Sequence, residues 1–313
     1  MTNPCCVALV NDHFVVADVE TANKLHNISW VHLVVQDEAS ARTLLLDHFG
    51  FPELEVEDAL SVDERPSLQE NDDHIFLVAP TVDKDGRFIE VSCFLHSNQL
   101  VTVANAHCHE IEAYAKRLLS RKEAQGYSPG RILYEVVDRI VDAYFPWLDQ
   151  LEDQVDELQD AIYEGRADFA REALALKRRL LETRRRLAPL RDVINGVLRH
   201  ESSLIDRQLW PYFQDVFDHV MRLNETVDLI RDVLGSVLDA NLAIVSNRLN
   251  DIMRKMTVVA TLLMSAGLIA GIYGMNFKHM PELTWPLGYP FAWAAMIIVC
   301  IVELVLFRSK GWL

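Results

Sequence analysis

Two long apolar runs near the C-terminal end constrain the fold of this chain more than any other feature. Residues 257–275 contain 19 consecutive residues without a charge, and residues 289–307 form a second run that only Glu303 interrupts. A helix rises about 1.5 Å per residue, so each run is long enough to cross a hydrocarbon layer of roughly 30 Å. We therefore predict two transmembrane helices joined by a short loop, residues 276–288.

The charges beside these runs predict the orientation of the hairpin. Arg254 and Lys255 precede the first run, and Arg308 and Lys310 follow the second. Because basic residues favour the cytoplasmic side, we expect both chain termini in the cytoplasm and the loop outside. Glu303 is predicted to reach the membrane interface or to pair with Arg308, and a role in ion conduction is the lesser alternative.

Charge and cysteine content argue against several other classes of protein. The net charge of −16 argues against a nucleic-acid partner, because phosphate backbones bind basic surfaces. The five cysteines are scattered without a CxxC spacing, which is not typical of a disulfide framework or a zinc knuckle. No cleaved signal peptide, phosphate loop, nucleophile elbow or HExxH motif is recognisable, so we expect no enzyme.

Small and polar residues recur along one seam of the first run and of the segment before it. The steps between them alternate between three and four, which keeps the positions on one side of a helix. The seam consists of Asp239, Ala243, Ser246, Asn250, Met253, Thr257, Ala260, Met264, Gly267 and Gly271. Small residues also pack membrane helices together, but polar groups are costly in a membrane, and their presence favours a pore. Met253 and Met264 would then be apolar constrictions that gate by dewetting.

Upstream of the membrane end, the patterns predict a soluble α/β body followed by helices. From Pro211 to the end of the first run no strand signal or further proline intervenes, which predicts one helix of more than 60 residues. Residues 132–200 carry an acidic and then a basic block, typical of two antiparallel charged helices that turn at Gly165-Arg166-Ala167-Asp168. Strand-like runs occur at residues 6–9, 14–16, 30–35, 74–82, 88–95 and 100–103.

These patterns divide the chain into seven parts. The fold class is an α/β cytoplasmic domain plus a long α-helical stalk and two C-terminal transmembrane helices. In chain order the parts are the α/β domain (1–125), antiparallel charged helices (126–210), the stalk helix (211–256), the pore-lining first transmembrane helix (257–275), the external loop (276–288), the second transmembrane helix (289–307) and a basic cytoplasmic tail (308–313).

A local cluster, His107-Cys108-His109-Glu110, has the residue types of a metal site. A closed zinc site needs more ligands than this segment supplies. A polar junction between a loop and a helix is the favoured interpretation, and metal binding stays open.

Several motifs make the chain resemble the CorA family of magnesium channels. Tyr273-Gly274-Met275-Asn276 stands at the end of the first run, and Met280-Pro281-Glu282-Leu283 follows in the loop. A GMN tripeptide alone is weak, but GMN between two C-terminal spans with MPEL after it is highly specific. Further matches are residues 54–60, 65–66, 134–145, 211–219 and 310–313, so that the resemblance covers nearly the whole chain.

The resemblance implies a funnel-shaped homopentamer in the cell inner (cytoplasmic) membrane, a multi-pass protein whose first spans line the pore. Gly274, Met275 and Asn276 would form the selectivity filter, with Glu282 in the loop beside it. Neutral amide oxygens suit magnesium, which gives up its water reluctantly. Gly274 would free the backbone where the helix ends. The pore-lining residues would be Asp239, Asn250, Met253, Thr257, Met264 and Gly267.

The resemblance also implies regulatory magnesium between cytoplasmic parts of neighbouring subunits. Asp58 and Asp215 fall on the matching positions, with Glu57 and Asp138 as supporting ligands. Hard carboxylate oxygens suit magnesium. The bound ion would hold the pore closed, and its loss would leave like charges facing each other and loosen the ring.

Two departures from the family pattern stand in the first span. Ser265 replaces an expected proline and Gly267 an expected threonine, so the span is expected to be straighter or its pore less polar. The expected function is influx of magnesium, with cobalt and nickel as further ions. A zinc or other transition-metal transporter stays an alternative, which histidines such as His279 near the mouth would favour. The other alternative is a membrane-anchored metal sensor that does not conduct ions.

Overall fold

The computed structural model describes residues 5–10, 13–17, 29–120, 127–164, 169–199, 203–276 and 280–312. The chain forms two units, Met1–Gly235 and Ser236–Leu313. The turn predicted at residues 165–168 lies outside the described residues, and so does His279.

The described part of the chain begins with three strands, continues with two α-helices and four more strands, and is helical from there on. The strands are β1 (Cys5–Val10), β2 (His13–Ala17), β3 (Ser29–Val34), β4 (Ser67–Glu70), β5 (His74–Val82), β6 (Phe88–His96) and β7 (Gln99–Ala104). The α-helices are α1 (Glu38–Thr43), α2 (Glu53–Leu60), α3 (His109–Leu119), α4 (Pro129–Asp142), α5 (Tyr144–Glu164), α6 (Phe169–Arg199), α7 (Trp210–Tyr273) and α8 (Gly288–Ser309). A π-helical turn (Leu44–His48) extends α1, and 3₁₀ turns cover Arg207–Leu209 and Pro281–Thr284.

The described strands form one seven-stranded mixed sheet. Its order is β2-β1-β3-β7-β6-β5-β4, and β3 pairs with β7 in parallel while the other neighbours are antiparallel. The strand β4 was missed by sequence reasoning because it is a short, partly exposed edge segment, Ser-Leu-Gln-Glu, without a run of β-branched residues. All nine residues of β5 are buried, which indicates that both faces of the sheet are covered.

One face of the sheet packs against α1, its π-helical turn and α2. Phe76, Phe94 and Val101 from the strands meet Leu45 and Val56 from the helices in a fully buried apolar cluster. Burial of side chains of this size contributes about 1.5–3 kcal/mol each. The position of α2 is therefore fixed by the core, although its outer face carries charged residues.

Helix α4, which lies in the predicted segment of charged helices at residues 126–210, packs against strands of the sheet. Ser128 caps its first turn by accepting a hydrogen bond from the backbone of Arg131. The hydroxyl of Thr81 on β5 donates to the carbonyl of Ile140 at 3.2 Å. Six aliphatic residues of α4 are buried in addition, so this helix is part of the core.

A break at Ala143 separates α4 from α5, where a single helical stretch was expected from residue 132 onward. Pro146 has no N–H to donate to the carbonyl of Asp142, and its ring would crowd that carbonyl in a continuous helix. The chain therefore restarts at Tyr144, whose hydroxyl donates to the Pro80 carbonyl at 2.8 Å and ties the new helix to the sheet.

Helices α5 and α6 run antiparallel to each other. Trp147 near the start of α5 donates its indole N–H to Thr183 at 3.0 Å, and Arg179 donates to Gln154 further along at 3.1 Å. Arg186 of α6 also reaches the sheet domain, where it pairs with Glu90 at 3.2 Å.

The second unit consists of the C-terminal part of α7, the loop and α8. Helix α7 has 64 residues without interruption. Among the described residues, this helix and the 22-residue α8 are long and apolar enough to cross a membrane by length and composition.

We predict that Gly86→Ala destabilises the protein more than Gly50→Ala. Both glycines have a positive φ, 77° and 74°, so both alanines strain the backbone. An added Cβ at Gly86 would lie 2.2 Å from the Trp147 ring, whereas nothing lies within 4 Å of one at Gly50. Gly50→Ala should lower the thermal unfolding midpoint of the purified protein by about 2–4 °C, and Gly86→Ala by at least twice that amount. Equal shifts would contradict the packing of Trp147 on this turn.

Candidate cation sites

The predicted pore-lining residues all lie on α7 and are exposed in the single chain. They are Asp239, Asn250, Met253, Thr257, Met264 and Gly267. Met253 and Met264 expose 66% and 73% of their surface, which is unusual for large apolar side chains outside a membrane or an interface. The hydroxyl of Thr257 donates to the carbonyl of Met253 at 2.8 Å, so only its acceptor side is open to other groups.

The GMN segment follows directly on the end of α7. The N–H of Gly274 donates to the Ala270 carbonyl at 2.9 Å, and that of Met275 to the Ile272 carbonyl at 3.3 Å. Gly274 is not among the described residues with positive φ. A Cβ added at Gly274 would make a tight contact, 3.2 Å, with the Ala270 carbonyl oxygen, so a larger residue there would need a small shift of the backbone. Asn276 comes next and is exposed.

The MPEL segment forms a 3₁₀ turn that packs against the start of α8. An added Cβ at Gly288 would lie 2.2 Å from the carbonyl oxygen of Glu282, so only glycine fits there. The N–H of Gly288 donates to the Trp285 carbonyl at 3.0 Å. Sequence reasoning missed Gly288, although a glycine at the head of the second apolar run was a visible signal. The structure does not describe residues 277–279, between Asn276 and this turn.

A second group of possible ligands lies in the first unit, between α4 and α7. One ligand atom from each of Asp138, Asp142 and His219 lies within 4.8 Å of the others. Asp138 and Asp142 stand one turn apart on α4, and Asp215 and His219 stand one turn apart on α7, so each pair shares a helix face. The imidazole Nε2 of His219 lies 3.9 Å from a carboxylate oxygen of Asp215. We call these four residues the α4–α7 acidic group.

The electrostatics of the α4–α7 acidic group favour a cation. Burial raises the pKa of Asp138 to about 6; the carboxylates of Asp142 and Asp215 add to this effect, whereas His219 and Arg139 oppose it. His219 Nδ1 lies 3.6 Å from Asp142, and it is buried without a hydrogen-bond partner among the described residues. Clustered carboxylates and an unsatisfied imidazole nitrogen can hold a divalent ion, because each ligand atom would gain a partner.

The structure brings together only part of the predicted regulatory set within one chain. Asp138 and Asp215 belong to the acidic group, and the structure adds Asp142 and His219. The signal available in the sequence was that Asp142 follows Asp138, and His219 follows Asp215, by four positions. Glu57 and Asp58 lie on α2, where Glu57 is exposed and Asp58 is partly buried. In the described part of the chain no ion pair or side-chain hydrogen bond links them to the group.

The cluster at residues 107–110 shows local pairing. His107 Nδ1 lies 2.7 Å from Glu112 Oε1, and the Cys108 thiol is 3.8 Å from Glu110. Cys108 is buried at the start of α3, and burial raises the pKa of its thiol to about 11. The junction between loop and helix is thus observed, and the described residues show no metal group there.

The prediction that Glu303 pairs with Arg308 is wrong. Its Oε1 accepts a hydrogen bond from the hydroxyl of Ser265 on α7 instead. Residues five positions apart on a helix point about 140° away from each other, so Arg308 does not share the face of Glu303.

Comparison with known proteins places the chain in one family. The sequence model of the family described as CorA-like Mg2+ transporter protein matches residues 26–309. The chain belongs to the CorA family. This family consists of transporters and not of enzymes, which confirms the prediction that the chain is not an enzyme.

Two curated relatives show how far the likeness extends. The chain is 32% identical to the cobalt/magnesium transport protein CorA of Thermotoga maritima over 314 aligned positions, covering 96% of this chain and 88% of the relative. It is 34% identical to the putative metal ion transporter YfjQ of Bacillus subtilis, covering 88% of this chain and 87% of the relative.

A solved structure shows the same fold. The complete CorA magnesium transporter from Methanocaldococcus jannaschii superposes with a TM-score of 0.88 at 21% identity, covering 100% of this chain and 99% of that one. This likeness confirms the predicted α/β domain, long helix and two C-terminal apolar helices of this CorA protein.

We expect His219→Ala to lower cobalt affinity roughly tenfold while magnesium affinity changes by less than about twofold. Cobalt favours imidazole nitrogen, whereas magnesium prefers oxygen ligands. Isothermal titration calorimetry of the full-length protein in detergent, with each ion alone, measures both affinities. His48→Ala, a histidine on the π-helical turn and outside the group, is the matched control and should change neither. A cobalt affinity that His219→Ala leaves intact would contradict the acidic group as a metal site.

Proposed function

We propose that this CorA protein is a channel for divalent cations that admits magnesium, and also cobalt and nickel, into the cell. The observation that carries the proposal is Asn276, an exposed amide three residues beyond the end of α7, in a chain whose relative from Thermotoga maritima is named a cobalt/magnesium transport protein. Amide oxygens accept hydrogen bonds from the water shell of magnesium without binding it so tightly that it cannot leave.

The conducting form is a homopentamer in the inner membrane, funnel-shaped, with both termini in the cytoplasm. Two spans cannot enclose a water path, so several copies must surround an axis. The exposed seam of α7 supports this arrangement, because Asn250 and Thr257 would face water and Met253 and Met264 would meet their copies across the axis. The backbone carbonyl of Glu282 packs on Gly288, which fixes the 3₁₀ turn of the loop against the start of α8.

Cytoplasmic magnesium closes the channel by binding between subunits. The α4–α7 acidic group supplies Asp138 and Asp215, and Asp58 and Glu57 of a neighbouring copy would complete the site. A bound divalent ion offsets the repulsion among these carboxylates, and its loss favours a looser, open ring.

Transition-metal transport on the same scaffold is the second candidate. His219 favours it, because an imidazole nitrogen beside two carboxylates suits cobalt, nickel or zinc better than magnesium. This nitrogen lies in the first unit and not at the mouth. It would therefore contribute to regulation by such ions and not to their selection at the filter.

We expect Asn276→Ala to lower magnesium influx at least tenfold, because the alanine ring has no oxygen to accept hydrogen bonds from the hydrated ion. Influx into liposomes with a magnesium-free interior, followed by a trapped magnesium dye, measures it. Thr284→Ala, in the loop but outside GMN, is the control and should keep most of the flux. Unchanged selective influx through Asn276→Ala would refute the filter, and no flux through the unaltered protein would refute the channel.

We expect Asp215→Asn to raise the internal magnesium concentration that half-closes the channel by about threefold or more, because it removes one ligand charge. Asp218→Asn is the matched control, since Asp218 lies one turn from Asp215 and accepts a hydrogen bond from Gln214; in the described part of the chain no ion pair or side-chain hydrogen bond links it to the acidic group. The same liposome assay with internal magnesium varied gives both values. Identical shifts in the two variants would contradict regulation by the acidic group.

A further inference from the structure

Glu303 places a carboxyl group in the C-terminal third of α8, an apolar helix whose other charged residue is Arg308 in its last turn. A charged or strongly polar side chain is costly there, and such residues in membrane helices usually have a partner and a role. Its Oε1 accepts the hydrogen bond from Ser265, and its Oε2 is buried without a hydrogen-bond partner among the described residues. Neither the pore nor the acidic group uses this carboxyl group.

The donor hydroxyl belongs to the pore helix. The two threonines of the first membrane span donate to their own helix: Thr257 donates to the Met253 carbonyl and Thr261 to the Thr257 carbonyl, both at 2.8 Å. Ser265 does not follow this pattern, although an i−4 carbonyl is within reach of any helical serine. Its hydroxyl crosses to α8 instead, so it links the two membrane helices of one chain.

The hydrogen bond between Ser265 and Glu303 lies next to the predicted upper constriction of the pore. Met264, the predicted upper constriction, directly precedes Ser265, and neighbouring residues on a helix point about 100° apart. Holding Ser265 against α8 therefore turns Met264 away from α8, which agrees with its exposure of 73% in the single chain.

We propose that the Ser265–Glu303 hydrogen bond holds the pore helix back against α8 and keeps the Met264 constriction wide enough to conduct. This rests on the proposed channel function. Ser265 and Glu303 are positioning residues and do not touch the ion. Without the hydrogen bond, small residues of α7 let copies of the helix pack closer, and a narrower ring of methionines excludes water.

The test is a double-mutant cycle on magnesium flux in liposomes. Ser265→Ala and Glu303→Leu should each lower flux at zero internal magnesium by about threefold to fifteenfold, the range of coupling that polar contacts between membrane helices show. The double variant should be no worse than the single variants, because each already removes the contact. Glu303→Gln keeps a carbonyl acceptor for Ser265 and should stay within about twofold of the unaltered protein.

Controls separate this role from damage to the fold. Thr261→Val removes a hydroxyl from the same helix without touching the link and should leave flux unchanged. Glu303→Leu makes α8 more apolar and favours membrane insertion, so loss of flux with an intact oligomer on a sizing column cannot come from failed insertion. Additive losses in the double variant, or a Glu303→Gln variant as impaired as Glu303→Leu, would overturn the positioning role.

The outcome also distinguishes this inference from the proposed function. If the unaltered protein carries magnesium and both single variants carry it equally well, the positioning role fails and the channel stands. If the unaltered protein carries no magnesium, the channel fails, and the positioning role fails with it.

Discussion

The uninterrupted backbone hydrogen-bond ladder of α7 is the constraint on which the rest of this protein depends. No water is available in a hydrocarbon layer, so a spanning segment must pair its own N–H and C=O groups, and a helix does so along its whole length. In this chain one helix of 64 residues carries Asp215 and His219 near its start, the exposed seam further on, and the GMN segment directly after its end. Helix α7 therefore carries two of the candidate regulatory ligands, and its end leads directly into the candidate filter.

Polar side chains inside the apolar helices find hydrogen-bond partners in two different ways. Thr257 and Thr261 satisfy their hydroxyls on their own helix, which costs nothing in contacts to other elements. Ser265 instead donates its hydroxyl hydrogen bond to Glu303 of the other helix. The family pattern predicted a proline at position 265, which cannot donate a hydrogen bond, so the serine and the carboxyl group of α8 are best understood together.

The membrane end was predictable because long uncharged runs have few alternatives, and the seam followed from helical spacing alone. The soluble body was predictable only in outline. Helix α4 has helical periodicity like its neighbours, and nothing local tells that its buried face belongs to the sheet. The break at Ala143 follows from Pro146, a local signal that the periodic pattern obscured. Strand β4 has no local signal, because it owes its conformation to pairing with β5.

The amino-acid sequence by itself determined that two apolar helices end this chain, that GMN and MPEL flank the loop between them, and that small and polar residues share one seam. Local spacing and hydrophobicity suffice for these features because neighbours along the chain define them. Only the tertiary structure decided that His219 joins Asp138 and Asp142, and that Glu303 meets Ser265 and not Arg308. Those contacts join residues at least 38 positions apart or on different helices, and packing of whole elements decides which distant side chains meet.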